Sequence, residues 1–266
     1  MKKRKFRKLH QIKKKKSIFK NRFFWLGIFT FLFLGSLGYF LFFSETFQIK
    51  KIIIADLEKV SKEEINSLIE KKIVTKIFFF ESKSIFLINS REIRENVLNN
   101  FPQIGEVRIK KKLPDTLSIL PTERVGLAYW KEGERYFLID GEGVIFEEIF
   151  ELKSEILQIK SEDLKSVILG EKVVDKETIN QILEVEEKLK KDLEIEVEEF
   201  LIVSGERWNV KNSEGWEIFL NPQEGIKWQL TKLKSVLEEE IPTEKRQNIE
   251  YIELRFGNLA PVKYKD

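Results

Sequence analysis

The sequence predicts an α+β protein: one N-terminal transmembrane helix, a small βααββ domain, then a mostly antiparallel β domain with flanking helices. Three observations carry this. An uncharged apolar stretch, 23–43, follows a basic tail. Helical and alternating periodicities then come in the order strand, helix, helix, strand, strand. Beyond residue 125, short alternating runs separated by Gly-containing turns mark a meander.

The formal net charge of +3 over 266 residues conceals three zones. Residues 1–22 hold twelve basic residues and no acid, residues 23–43 hold no charge, and residues 45–266 hold 35 basic against 44 acidic residues, a net of −9. At 1.5 Å per residue the apolar stretch spans roughly 32 Å, against a hydrocarbon core of about 30 Å. It ends in Phe42-Phe43-Ser44-Glu45, with no small-residue cleavage pattern, so it reads as an uncleaved anchor. Flanking Lys and Arg stay cytoplasmic, which puts the tail inside and residues 45–266 outside. The tail's lysines would also suit phosphates. The adjoining span accounts for them as a topology signal and an attraction to anionic lipid, so no nucleic-acid partner is expected.

Composition removes whole classes of chemistry. There is no cysteine, hence no disulfide, thiolate metal site or Cys nucleophile. The single histidine, His10, lies in the tail, so the large part has no imidazole base or ligand. The Ser-x-x-Lys match, Ser17–Lys20, lies on the cytoplasmic side, and no Gly-x-Ser-x-Gly occurs. No catalytic residue, metal or cofactor is expected. A membrane-anchored wall enzyme would have to rest on carboxylate pairs, which charged surface explains more simply.

Each element has its own signal. Phe47–Ile54 is β-branched and apolar, a strand. Ser61 opens a capping box closed by Glu64, with Ile65, Leu68 and Ile69 at helical spacing behind it. Ile77–Phe80 and Ser84–Ile88 read as short extended pieces. Ser90–Asn99 is a helix capped by Ser90 and stopped by Pro102. Ile104–Lys110 alternates strictly, Pro114-Asp115 turns, and Thr116–Leu120 returns. In the second half, Gly126–Lys131, Tyr136–Asp140 and Val144–Phe150 are strands. Asp140-Gly141-Glu142-Gly143 between the last two is a hairpin turn rather than a calcium loop, since it lacks the further oxygen ligands at EF-hand spacing. Glu177–Leu193 is a helix; 198–203, 208–212 and 216–220 are strands of an antiparallel meander. Pro222–Leu237 is a helix and Ile249–Phe256 a final strand. Trp130, Trp208, Trp216 and Trp228 are expected in cores.

Five stretches taken in order resemble the bacterial cell-division family FtsQ/DivIB. They are Phe101–Ile109, Leu113–Ile119 (LPDTLSI), Glu123–Trp130 (ERVGLAYW), Tyr136–Phe146 (YFLIDGEGVIF) and Tyr251–Phe256 (YIELRF). Gly126 stands where the family usually has Pro, and Glu253 where it has Asp. The resemblance implies a basic cytoplasmic tail over 1–22, a transmembrane helix over 23–43, a POTRA-like domain over 44–124 and a β domain over 125–266. It implies a non-enzymatic septal scaffold in the cytoplasmic membrane, whose POTRA-like domain meets other divisome proteins and whose C-terminal edge strand receives FtsB/FtsL-type partners. By position the partner-binding residues are Tyr251, Glu253, Arg255, Phe256, Asn258 and Tyr264. Arg255 would pair with a partner carboxylate, and Phe256 and Tyr264 would be apolar anchors. Pro114 and Asp115 are a structural turn, and Glu123 and Arg124 a structural ion pair or strand joint between the domains. Pro261 limits any strand at the very end. A POTRA protein of envelope assembly or secretion is the remaining alternative; it usually carries several repeats or a barrel.

Overall fold

The structure, a computed structural model, describes residues 21–77, 79–153, 156–163 and 166–265. The basic tail, with His10 and Ser17–Lys20, lies outside the described residues. The described residues divide into two compact units: those up to 53 with 70–89 and 110–118, and those of 54–69 with 90–109 and from 119 onward.

The first unit begins with α1, Arg22–Phe43, capped by Asn21, whose side chain accepts from the Phe23 amide at 3.0 Å. Among the described residues it is the helix long and apolar enough to cross a membrane, and none of it is buried in protein. The strand expected from Phe47 starts later. A 3₁₀ turn occupies Glu45–Phe47, held by Ser44 Oγ accepting from Thr46, and β1 is Lys51–Ile54. A hairpin follows, β2 (Thr75–Ile77) with β3 (Phe80–Ser82). Ser84–Ile88, expected extended, is a turn instead: Ser84 Oγ accepts from Phe86 and the Ser84 carbonyl from Leu87. Hydroxyl side chains of this kind divert the backbone from a ladder.

Two helices accompany the small sheet. In α2 (Lys62–Lys72) Ile65 and Ile69 are buried, and in α3 (Ser90–Asn100) Ile93 and Val97. Ser61 does cap α2, accepting from Glu64 at 3.4 Å, but the carboxylate on its hydroxyl is Glu63, not Glu64. Ser90, expected to cap α3 from outside, is its first residue. With β4 (Ile104–Lys112) and β5 (Thr116–Glu123) the sheet order is β1-β5-β4. The β4–β5 turn carries a cis Leu113–Pro114 peptide. The Asp115 carbonyl accepts from Lys50 at 2.9 Å and Lys51 at 3.3 Å, and its carboxylate from Thr116.

The second unit is built on a nine-stranded sheet. Its strands are β6 (Ala128–Glu132), β7 (Arg135–Ile139), β8 (Ile145–Ile149), β9 (Gln158–Ser161), β10 (Val197–Ser204), β11 (Arg207–Asn212), β12 (Glu217–Leu220), β13 (Ile249–Glu253) and β14 (Val262–Tyr264). The order is β14-β13-β12-β11-β10-β9-β6-β7-β8. The meander is therefore interrupted. β9 lies parallel to both β6 and β10, and β12 lies parallel to β13. Helices account for two of these three parallel pairs, β9–β10 and β12–β13, while β6 and β9 are separated by β7 and β8. α4 (Lys176–Leu193) separates β9 from β10, and α5 (Ile226–Ser235) with a π-helical turn over Val236–Glu240 separates β12 from β13. A helical crossover returns the chain parallel.

One apolar core joins these parts, including Phe137, Ile159, Phe200, Trp216, Ile252, Ile182 and Leu233. Trp130, Trp208 and Trp216 are buried as expected, but Trp228 is 52% exposed. The buried stripe of α5 is Gln229, Leu230, Lys232 and Leu233, which leaves Trp228 outside it. Asp140 forms the expected hairpin turn, its Oδ1 accepting from the Glu142 and Val144 amides at 3.0 Å each. Gly143 is required there: its φ is +78°, and a Cβ would lie 2.0 Å from the Val174 carbonyl oxygen.

Candidate partner-binding edge

The expected final strand, 249–256, is two strands. β13 ends at Glu253, the chain loops through Leu254–Pro261, and β14 pairs back antiparallel, with Tyr251 opposite Lys263 and Ile252 opposite Val262. Pro261 is tolerated because only its carbonyl is used, accepting from the Glu253 amide at 2.9 Å. Lys265 donates inward to the Asn248 carbonyl at 2.8 Å. Residues 261, 263 and 265 thus turn their backbone groups toward β13. By the two-residue alternation of an antiparallel ladder, Val262 and Tyr264 turn theirs outward. β14 is the last strand at this end of the sheet.

Side chains of β13 serve both faces. Ile249 and Ile252 enter the core. Tyr251 stacks on Phe219 with centroids 4.6 Å apart; Arg207 lies 4.6 Å over Phe219 and Lys263 lies 5.7 Å over Tyr251. These rings support the strand rather than offer a free anchor.

Three of the predicted residues fall on the loop after β13. Arg255 closes a two-bond fork on Glu253, Nε to Oε1 at 2.8 Å and Nη2 to Oε2 at 2.6 Å. The hydrogen bond to Glu253 raises the Arg255 pKa above its ordinary value. The expected pairing of Arg255 with a partner carboxylate is corrected to this extent: the guanidinium already has a carboxylate, and an incoming one must compete with Glu253. Phe256 is 57% exposed, and Asn258 is exposed beside Leu259 at 68%. With Trp228, Val236 and Pro261 the loop bounds a groove of about 690 Å³.

The residue that shapes this loop is Lys232, which the sequence reading missed. Its ammonium donates to the carbonyls of Leu254 (2.7 Å), Gly257 (2.7 Å) and Leu259 (3.2 Å). Burial lowers its pKa, against the opposing pull of Glu224 and Glu253. No feature of the helical period distinguishes Lys232 from the exposed Lys227 and Lys234 on the same helix.

Glu123 and Arg124 do not pair with each other. The Glu123 carboxylate accepts from the backbone amides of Glu58 (3.1 Å), Lys59 (2.7 Å) and Val60 (3.2 Å). Burial pulls its pKa up, and the three amides outweigh that and hold it below the ordinary value. Arg124 donates to the Pro102 carbonyl at 3.1 Å and pairs with Asp140. The expected ion pair between the two is thus replaced by separate partners for each. Pro114 and Asp115 lie in the β4–β5 turn, away from these groups in sequence and in the other compact unit.

Two family models match in order: the FtsQ-type POTRA domain over residues 47–124, and the C-terminal region of cell division protein FtsQ/DivIB over 128–255. The chain belongs to the FtsQ/DivIB family. Similar relatives include a cell division protein DivIB of Clostridium tetani, 25% identical over 136 residues (51% of this chain, 48% of the relative). A DivIB of Clostridium acetobutylicum is 37% identical over 67 residues (25% and 26%), and an FtsQ of Rickettsia bellii is 34% identical over 97 residues (36% and 33%). The matched stretches thus span less than half of these relatives' own lengths. FtsQ/DivIB is named for cell division and for no catalysed reaction. The C-terminal family match stops at Arg255, so Phe256, Asn258 and β14 lie beyond it.

Proposed function

We propose that this FtsQ/DivIB protein is a non-enzymatic divisome scaffold held in the cytoplasmic membrane by α1, with its N-terminus inside. It gathers at the division septum, takes up an extended segment of an FtsB/FtsL-type partner along β14, and so helps control septal peptidoglycan synthesis. Its POTRA domain meets other divisome proteins. The matched stretches support domain limits of 44–124 and 125–266.

The observation that carries the reading is the end of the sheet. β14 turns the backbone groups of Val262 and Tyr264 outward, beside exposed Phe256, Leu259 and Trp228. An unpaired edge next to apolar anchors is the arrangement that strand addition uses. Tyr251 and Glu253 support the edge from β13, Phe256 and Tyr264 supply apolar area, and Arg255 and Asn258 supply polar contacts.

The test separates backbone from side chain. Full-length protein in detergent is titrated with its FtsB homologue. Tyr264→Pro removes an outward amide without touching the inward ladder, whereas Tyr264→Ala removes only the ring. Tyr264→Pro should weaken binding at least about tenfold, some 1.4 kcal/mol, with unchanged circular dichroism. Equal affinity for parent and Tyr264→Pro would end the strand-addition reading.

A further inference from the structure

The first compact unit carries a surface that partner binding at β14 leaves unused. The last turn of α1 has free carbonyls, as any helix end does. Three side chains take them. Ser84 donates to the Leu41 carbonyl at 2.9 Å, and Ser82 and Gln48 donate to the Phe42 carbonyl at 2.5 and 3.0 Å. Rings extend the clamp. Phe80 lies edge-on to Phe43 with centroids 5.9 Å apart, and Phe47 meets both Phe40 and Phe86. The β2–β3 hairpin is therefore held level with the end of α1.

That level has a meaning if α1 spans a bilayer. The helix has 22 residues and is about 33 Å long, against about 30 Å of hydrocarbon. Phe43 then sits at the boundary of acyl chains and headgroups, and Phe80 sits with it. At the tip, Phe79 is 98% exposed and Phe80 65%. Adjacent exposed phenylalanines mark an interaction surface.

Charge identifies what the surface meets. Segments 45–53, 70–89 and 110–118 hold nine lysines, all exposed, against four acids, a net of +5. The remainder of 45–266 is then net −14, since the whole is −9. Lys50 and Lys51 are tied to the β4–β5 turn through Asp115, which keeps them near Lys112 in the chain path, and Lys83 follows the hairpin directly. An exposed aromatic tip in a lysine-rich unit of net positive charge fits an anionic lipid surface.

We propose that the β2–β3 hairpin is a second membrane contact. Phe79 and Phe80 enter the headgroup–acyl boundary of the leaflet at the C-terminal end of α1, and Lys50, Lys51, Lys83 and Lys112 lie against its anionic headgroups. The inference rests on the reading of α1 as a span.

The chain has no cysteine, so a single introduced one is a unique label site. Full-length Phe79→Cys carries a nitroxide in nanodiscs of phosphatidylcholine with phosphatidylglycerol. Its relaxation is compared in oxygen and in a water-soluble nickel chelate. Phe31→Cys, in mid-span, and Phe150→Cys, 90% exposed in the second unit, are the references. The label at 79 should favour oxygen as the label at 31 does, and the label at 150 should favour nickel. A label at 79 that matches 150 while 31 reads deep overturns the inference and leaves the span standing. A water-exposed label at 31 removes the span and the inference together. The preference at 79 should weaken in pure phosphatidylcholine, or when Lys50, Lys51, Lys83 and Lys112 are all changed to Glu; no change in either case refutes the role of the lysines.

Discussion

Replacing Lys232 with Met should loosen the C-terminal edge more than it destabilises the whole domain. Met keeps an unbranched apolar stem in the buried position and removes the ammonium. Three carbonyls lose their donor. Bonds from a charged donor are worth about 1.5–3 kcal/mol each, but the three do not count alike. Gly257 and Leu259 are exposed, so water takes over their carbonyls. Leu254 is fully buried, and its carbonyl is left unpaired at about 1–3 kcal/mol. Against this, burial already disfavours the Lys232 charge, as its lowered pKa records, and the variant is relieved of that cost. The net loss is about 2 kcal/mol, a fall in Tm of roughly 4–8 °C for a domain of this size. Differential scanning calorimetry reads the global term. Amide exchange at Glu253, Leu259 and Lys265 reads the local one, since these amides are bonded to Pro261, Phe256 and Asn248 across the loop and edge. A Tm within about 1 °C of the parent, together with unchanged exchange at all three amides, would refute the assignment of Lys232 as the residue that holds the loop.

Other predictions follow from single contacts. Arg124→Ala leaves Asp140, whose side chain is 9% exposed, without its guanidinium; a loss of about 3 kcal/mol is expected in urea unfolding, and under about 1 kcal/mol refutes the pairing. Glu123→Gln should alter the acid side of the stability curve. The folded-state pKa of Glu123 is depressed, so its contribution is present above the unfolded value of about 4.3 and lost as pH falls through the folded value. Parent and variant should therefore differ at pH 7 and converge in acid; a constant difference refutes the role of the three amides. Gly143→Ala drives a Cβ into a backbone carbonyl at a positive φ and should cost more than about 2 kcal/mol, measured as loss of folded protein on thermal unfolding.

What was legible in the sequence tracks how local each signal is. The apolar run of α1, the Ser61 cap, the stripe of α4 and the Asp140 turn all depend on neighbours a few residues apart. The small sheet and the three hairpin strands after residue 127 follow from the same short-range alternation. β9 was not legible: Gln158–Ser161 is four residues with one buried side chain, and its partners are far along the chain. β14 was read only as a limit set by Pro261, because what places it is the loop held by Lys232. Among the site residues, Tyr264 lies on β14, whereas Phe256 and Asn258 lie on the loop between β13 and β14. The sequence points Arg255 at a partner carboxylate because its fork to Glu253 is a geometric fact that a spacing of two residues along a strand end does not announce. Residue type alone puts Trp228 in the core, whereas the phase of α5 decides otherwise.

The parallel seating of β9 has a consequence for how the sheet is made. Hairpins β6–β7–β8 and β10–β11–β12 pair neighbours in sequence and close small loops. β9 pairs with β6 from beyond β7 and β8, and with β10 only after α4 has returned the chain. Long closures are slow to form. β9 precedes β10 along the chain by the whole of α4, so until α4 and β10 have arrived β9 presents one bare side. In the nascent chain it is what β14 is in the finished fold, a short strand awaiting another, and α4 with β10 is the segment that arrives to cover it.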